Sequence, residues 1–295
     1  MGKSQVENSL WQEYWVLCKP KVVGLMVITA LVGMFLASPN QPDWSLIFWA
    51  ALGIALIGGA SATINHMVDY RIDALMLRTR DRPLAKQRLS MREAQYFALI
   101  LGSLGFWVLY SAVNPLTAFL SLATLVGYSF VYTVFLKRLT PQNIVIGGMA
   151  GATPPLLGWV AVTNHIDPYA WLLVILIFIW TPPHFWALAI HRLEDYKRAE
   201  IPMLPVTHGI LFTKQCIFLY ALLLLICSLL PYLTGMSGAI YALMALGLGL
   251  WFLGKTVGLY RDTAKAYSVF KASVHYLWLL FLGLLLDHAF KNYIA

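Results

Sequence analysis

Leu46 to Pro83 reads LIFWAALGIALIGGASATINHMVDYRIDALMLRTRDRP. It opens on an uncharged apolar run, Leu46 to Ile64, long enough to cross the ~30 Å hydrocarbon layer of a bilayer. Asn65, Asp69 and Asp73 follow, four residues apart. Four residues turn an α-helix by about 400°, so the three lie on one slowly drifting stripe spread over roughly 12 Å. Arg78, Arg80 and Arg82 come next, closed off by Pro83. Hard oxygen donors beside guanidinium forks suit magnesium and phosphate oxygens. In a soluble protein the same pattern would read as the solvated face of an amphipathic helix. At the end of a membrane span, ionisable residues point to function. The aspartates are expected at a helix end by the membrane surface.

The rest of the chain bears out that membrane setting. Its 295 residues are 60% hydrophobic and only 12% charged, with a mean hydropathy of +0.70. Soluble domains carry about 25% charged residues, so the chain reads as an integral membrane protein. No polar segment is long enough to build a large soluble domain. A net charge of +8 would suggest nucleic acid in a soluble protein. Here it points to loops facing anionic membrane lipid, and no nucleic-acid partner is expected. Cys18, Cys216 and Cys227 lack metal-site spacing and imply neither a disulfide framework nor a zinc site. Met1 to Trp15 has no basic start leading into an apolar core, unlike a cleavable signal peptide.

Nine apolar runs are long enough to span, near 22–37, 46–64, 95–113, 116–135, 143–163, 169–189, 215–233, 237–254 and 272–290. An odd number puts the termini on opposite sides. With the N-terminus inside, every Lys and Arg except Lys291 falls in an inner segment, as cytoplasmic loops require. The expected architecture is an all-α integral membrane protein: nine transmembrane helices in one polytopic domain over 1–295, N-terminus cytoplasmic, C-terminus outside. The outer connections are short and the inner ones longer and polar, so function is expected at the cytoplasmic face.

Two further inner regions carry candidate chemistry. Trp180 to Pro205 reads WTPPHFWALAIHRLEDYKRAEIPMLP. Pro182 and Pro183 fall inside a span, where they are expected to kink the helix and free backbone carbonyls. His184 follows at membrane depth, then His191, Glu194, Asp195, Lys197, Arg198 and Glu200. The alternative for His184 is a packed histidine bonded to a carbonyl, and for the cations plain positive-inside anchoring. Tyr128 to Trp159 holds Tyr128 and Tyr132 on one helix face leading to Lys137 and Arg138, with interfacial belt placement as the competing reading. Gly147, Gly148 and Gly151 read as helix packing, and Pro154-Pro155 as a second break in a span.

Acidic metal ligands, cations for a diphosphate, aromatic walls and an apolar cavity together suit ionisation of an allylic diphosphate. Magnesium and cations stabilise charge on the leaving group, and aromatic faces stabilise the allylic cation. A secondary transporter also carries intramembrane prolines near charged residues. Transporters place binding groups near the bilayer midplane, whereas nearly all the acids here cluster at one face.

The motifs resemble the UbiA-type intramembrane prenyltransferase superfamily over nearly the whole chain and, within it, the family of protoheme IX farnesyltransferases (heme O synthases). N-x-x-x-D-x-x-x-D at Asn65–Asp73 with M-x-R-T-x-x-R-P-L at Met76–Leu84 is similar to the superfamily's first signature, which quinone and chlorophyll enzymes share. Y-T-x-x-L-K-R-x-T-x-x-N at Tyr132–Asn143 and G-A-x-P-P-L-x-G-W at Gly151–Trp159 resemble the heme branch. So do W-x-P-P-H-F-x-x-L at Trp180–Leu188 and D-Y-x-x-A-x-I-P-M-L-P at Asp195–Pro205. The second signature departs from the usual pair of aspartates, because Ala199 stands four residues after Asp195. This leaves open whether Glu194 joins Asp195 or whether Lys197 and Arg198 replace a second magnesium.

The resemblance implies transfer of a farnesyl group from farnesyl diphosphate to a vinyl group of heme B, giving heme O for a heme A synthase or terminal oxidase. The setting would be the cell inner membrane, with the helices around a central cavity and Mg2+ as cofactor. Asn65, Asp69, Asp73 and Asp195 would be the catalytic metal ligands. Arg78, Arg82, Lys137, Arg138 and Lys197 would hold diphosphate. His184 is the first candidate for heme, with His191, Tyr132 and His66 behind it. A quinone-precursor prenyltransferase is the runner-up.

Overall fold

The computed structural model describes residues 9–38, 42–76, 79–129 and 140–294, with the backbone alone for 292–294. Among them every regular element is helical. A short helix α1 (Leu10–Leu17) leads into α2 (Pro20–Ala37), α3 (Trp44–Leu75), α4 (Met91–Ala112) and α5 (Pro115–Val126). After residues outside the description come α6 (Asn143–Ala152), α7 (Pro154–Thr163) and α8 (Pro168–His191). Short helices α9 (Leu193–Arg198) and α10 (Leu204–Thr207) lead to α11 (Gly209–Ser228). A single turn α12 (Leu230–Leu233), then α13 (Ala239–Arg261) and α14 (Ala266–Ile294) complete the chain.

Among the described residues eight helical stretches are long and apolar enough to cross a membrane, and a shorter apolar helix covers Pro115–Ser129. The eight overlap eight of the nine expected runs; the run at 116–135 overlaps the shorter helix, and its end lies outside the described residues. Several begin at the signals the sequence supplies. Asp43 accepts from the Ser45 and Leu46 amides at 2.9 and 3.1 Å. Asn114 accepts from Thr117 at 2.8 Å and Asp167 from Tyr169 at 2.7 Å, each just ahead of a proline in the first turn. These caps satisfy amide groups that the first helical turn leaves without partners.

Three expectations meet the structure here. The helix that holds the run 46–64 continues without interruption to Leu75, so the polar stripe lies on a helix as its four-residue spacing required. At 32 residues it is about 48 Å long, more than the hydrocarbon needs. The two proline pairs also behave differently. Pro154-Pro155 starts α7 and separates it from α6, where missing N–H groups cost nothing. Pro182-Pro183 lies inside α8, and the helix runs on through both. Neighbouring helices hold that backbone in place, so the missing hydrogen bonds do not end it. Of the three glycines assigned to helix packing, Gly148 lies against Thr181, whereas a Cβ at Gly151 would have nothing within 4 Å among the described residues.

The outside of the bundle is apolar, with Leu99, Trp107, Leu219 and Leu243 each more than half exposed, the surface a lipid-facing protein presents. The interior forms two large apolar clusters. One holds α8, α11, α13 and α14, the other α3 and α4, and α2 and α7 supply residues to both. Where α2 crosses α7, Gly33 faces the Pro155 carbonyl and Gly158 faces the Ala30 carbonyl, both too close for a Cβ. Small residues let helix backbones approach, which is what drives association where lipid is as apolar as the side chains.

At one end of the bundle, polar contacts join residues far apart in sequence. Asn114 Nδ2 donates to the Val160 and Ala161 carbonyls at 3.1 and 3.2 Å. Asp287 accepts from the amides of Gly238 at 2.5 Å and Tyr241 at 3.3 Å, capping α13 from α14. The Tyr169 hydroxyl donates to Thr234 O at 3.1 Å. These are all residues at or next to the connections expected outside.

Candidate functional site

Asn65, Asp69 and Asp73 are 3%, 2% and 4% exposed, so the stripe faces inward instead of lying at an open membrane surface. Buried carboxylates need partners. Arg82 Nη1 donates to both oxygens of Asp73 at 2.8 and 2.7 Å. The loop from Thr79 to Ser90 is folded back on the end of α3 to allow this, with Thr79 Oγ1 donating to Asp73 O at 3.1 Å. Arg88 on the same loop pairs with the buried Glu13 of α1 at 2.8 Å. Arg82 spends one nitrogen on Asp73, and its other N–H groups are available to an anion.

Lys19, a residue absent from the sequence-based candidates, donates from Nζ to Asn65 Oδ1. It stands between α1 and α2 with φ 48° and ψ 60°, in the left-handed region that non-glycine residues rarely enter. The only sequence signal is its place before Pro20 at the start of a span. His66 and Tyr128 complete the cluster. His66 lies within electrostatic range of Lys19 and Arg82, and Tyr128 within range of Asp69 and Arg82. Neither ring nitrogen of His66 has a hydrogen-bond partner among the described residues. Arg78, Tyr132, Lys137 and Arg138 lie outside the described residues.

Among the described residues no three His, Cys, Asp or Glu side chains gather as a metal cluster. Magnesium is usually held by one or two carboxylates together with substrate phosphates, not by an all-protein cage. Two buried aspartates, an amide oxygen and flanking cations fit that mode. Asp195 is half-buried on α9, and Lys197 donates to Glu194 at 3.0 Å across the exposed face of the same short helix. Glu194 and Lys197 are therefore paired with each other.

His184 belongs to a different setting. It lines a cavity of about 290 Å³ between α2, α8 and α14, walled by Trp180, Phe270, Trp278 and aliphatic residues. Its ring stacks on Trp180, with centroids 4.2 Å apart and planes 23° apart, and lies 4.6 Å from Phe270. Its Nδ1 is 2.7 Å from Ser273 Oγ on α14. No hydrogen bond or ring contact joins His184 to the α3 stripe. The two regions share a wall, since α2 follows directly on Lys19 and lines the cavity from Leu25 onward, about 9 Å further along. His191 is exposed at the end of α8, stacked on Tyr267 at 4.8 Å.

Comparison with known proteins bears on both regions. Residues 26–285 match the model of the UbiA prenyltransferase family. A protoheme IX farnesyltransferase of Marinobacter nauticus is 57% identical over 280 residues, 94% of this chain and 93% of that protein. One from Shewanella oneidensis is 55% identical over 283 residues, 95% of this chain and 94% of that protein. The fold matches a structure of digeranylgeranylglyceryl phosphate synthase with a TM-score of 0.78 at 19% identity, covering 94% and 98% of the two chains. It also matches a UbiA homologue from Archaeoglobus fulgidus bound to DMAPP and Mg2+, with a TM-score of 0.69 at 16% identity over 92% and 99%. The chain belongs to the UbiA prenyltransferase family.

Proposed function

We propose that the chain transfers the farnesyl group of farnesyl diphosphate to a vinyl group of heme B, releasing diphosphate and giving heme O. The observation that carries this reading is the pairing, in one bundle, of a buried cation-balanced oxygen stripe with a separate aromatic cavity holding one histidine. The first suits a diphosphate and the second a planar macrocycle. Close relatives named protoheme IX farnesyltransferase support the assignment.

In this reading Asn65, Asp69 and Asp73 hold magnesium, with Asp195 closing the site from α9. When bound, the ion supplies positive charge to the departing diphosphate. Arg82 is held in place by Asp73 and turns its remaining donors to phosphate oxygens, with Lys19 beside it. Arg78, Lys137 and Arg138 add charge at the mouth, while Lys197 stays paired with Glu194. His184 ligates or orients heme, as imidazole does for haem iron elsewhere. The N-terminus and the polar loops face the cytoplasm across the cell inner membrane, nine helices span it, and a heme A synthase or terminal oxidase takes the product.

The test incubates purified protein with radiolabelled farnesyl diphosphate, Mg2+ and heme B, alone and in competition with an aromatic acid acceptor. Label is expected in heme only. Label in the aromatic acid would move the assignment to a quinone-precursor enzyme, and no prenylated product in folded protein would point to transport.

A further inference from the structure

We infer that Ser273 is a positioning residue that fixes the tautomer of His184, so that Nε2 presents its lone pair to the cavity as the heme-facing atom. The inference rests on the heme-binding reading of His184 and names the device that prepares it.

Ser273 has a single hydroxyl proton and two neighbours at 2.7 Å: the Phe270 carbonyl and His184 Nδ1. The carbonyl can only accept. At that distance two oxygens repel unless a proton lies between them, so the Ser273 hydroxyl donates to Phe270 O. Its oxygen then accepts, and Nδ1 must carry the hydrogen. In a neutral imidazole this leaves the lone pair on Nε2. Nε2 has no hydrogen bond among the described residues, and the residue lines the cavity.

The same serine holds the ring by a second route. Its backbone carbonyl accepts from Trp180 Nε1 at 2.7 Å, and Trp180 is the ring stacked on the imidazole. One residue of α14 therefore sets the tautomer through its hydroxyl and the orientation through its carbonyl. A merely packed histidine needs neither constraint. A ligand histidine needs both, because its other nitrogen is what fixes tautomer and basicity at the metal.

The experiment uses the full chain in detergent or nanodiscs and three readouts. First, ¹⁵N-histidine NMR of the wild type without heme should show the Nδ1–H tautomer for the resonance that His184→Ala removes. An Nε2–H signature there overturns the inference with no variant of Ser273 needed. Second, Ser273→Ala should weaken heme B binding about tenfold and broaden the Soret band towards that of His184→Ala, with Mg2+-dependent farnesyl diphosphate binding unchanged. Third, Ser273→Thr, which keeps the hydroxyl, should restore the band. Wild-type Soret and affinity in Ser273→Ala, while His184→Ala loses both, would overturn the positioning role and leave the ligand reading intact. Unchanged heme binding in folded His184→Ala would overturn both.

Discussion

Asp73 and His184 are both buried polar side chains on long helices, yet they are satisfied in opposite ways. Asp73 meets a guanidinium through two hydrogen bonds of 2.8 and 2.7 Å. His184 meets one neutral hydroxyl and a set of aromatic rings. A buried charge must be compensated by charge, and Arg82 and Lys19 reach the stripe on long side chains that can turn to a new anion. A neutral ring in an apolar wall has nothing to exchange, so its pocket suits an apolar planar guest. In the reading proposed above, that difference gives one substrate to each region.

Asp69→Asn tests that division most severely. It should lower turnover by about 100-fold or more, the scale of losing a preorganised charge at a reacting centre, while the heme-loaded spectrum stays as in the wild type. A changed Soret band in this variant would show that the regions are not independent. Asp73→Asn is a poorer probe, because it strands the Arg82 guanidinium. A loss of stability on the order of 3 kcal/mol, read as a lower melting temperature, is expected there, mixing folding with chemistry.

The reciprocal test is His184→Ala. Heme B affinity should fall about tenfold or more, and farnesyl diphosphate binding measured with Mg2+ should not change. Loss of diphosphate binding in folded protein would erase the contrast between the sites.

A smaller effect is expected from Lys19→Met. It removes the cation on Asn65 and should raise the KM for farnesyl diphosphate by about threefold to tenfold, the net worth of one ordinary hydrogen bond, with kcat nearly kept. If only the KM for heme moved, Lys19 would belong with the cavity.

Lys197→Ala should change turnover less than twofold. Its partner is Glu194 in an exposed pair, and such pairs contribute about 0–1 kcal/mol. A tenfold loss would show that Lys197 leaves Glu194 for the substrate.

Much of the fold was legible because long apolar runs are a local signal. The caps Asp43, Asn114 and Asp167, which start three of those helices, were left unread. The stripe was legible as a stripe because four-residue spacing survives in any helix. Its burial was not, since the sequence cannot tell a helix end at the surface from one enclosed by a returning loop. Lys19 and Ser273 were invisible for a related reason. Each acts across 46 or 89 residues of chain, and a lysine before a span or a serine within one has many ordinary explanations. Pro182-Pro183 stand inside α8, which runs on through both, because packed neighbours hold a backbone that lacks two amide donors.

The crossing of α2 and α7 has a mechanical consequence for the cavity. Ala30 and Pro155 present carbonyls where glycine is the only residue that leaves space, so turning α2 about its axis drives an oxygen into the opposing backbone. That face of α2 is pinned, and its other face lines the cavity with Leu25, Ile28, Thr29 and Val32. α2 is thus a fixed post. The rest of the wall comes from α8 and α14, so a guest wider than the space beside His184 presses on those two helices. They carry His184 and Ser273, and with them the hydrogen bond between the two.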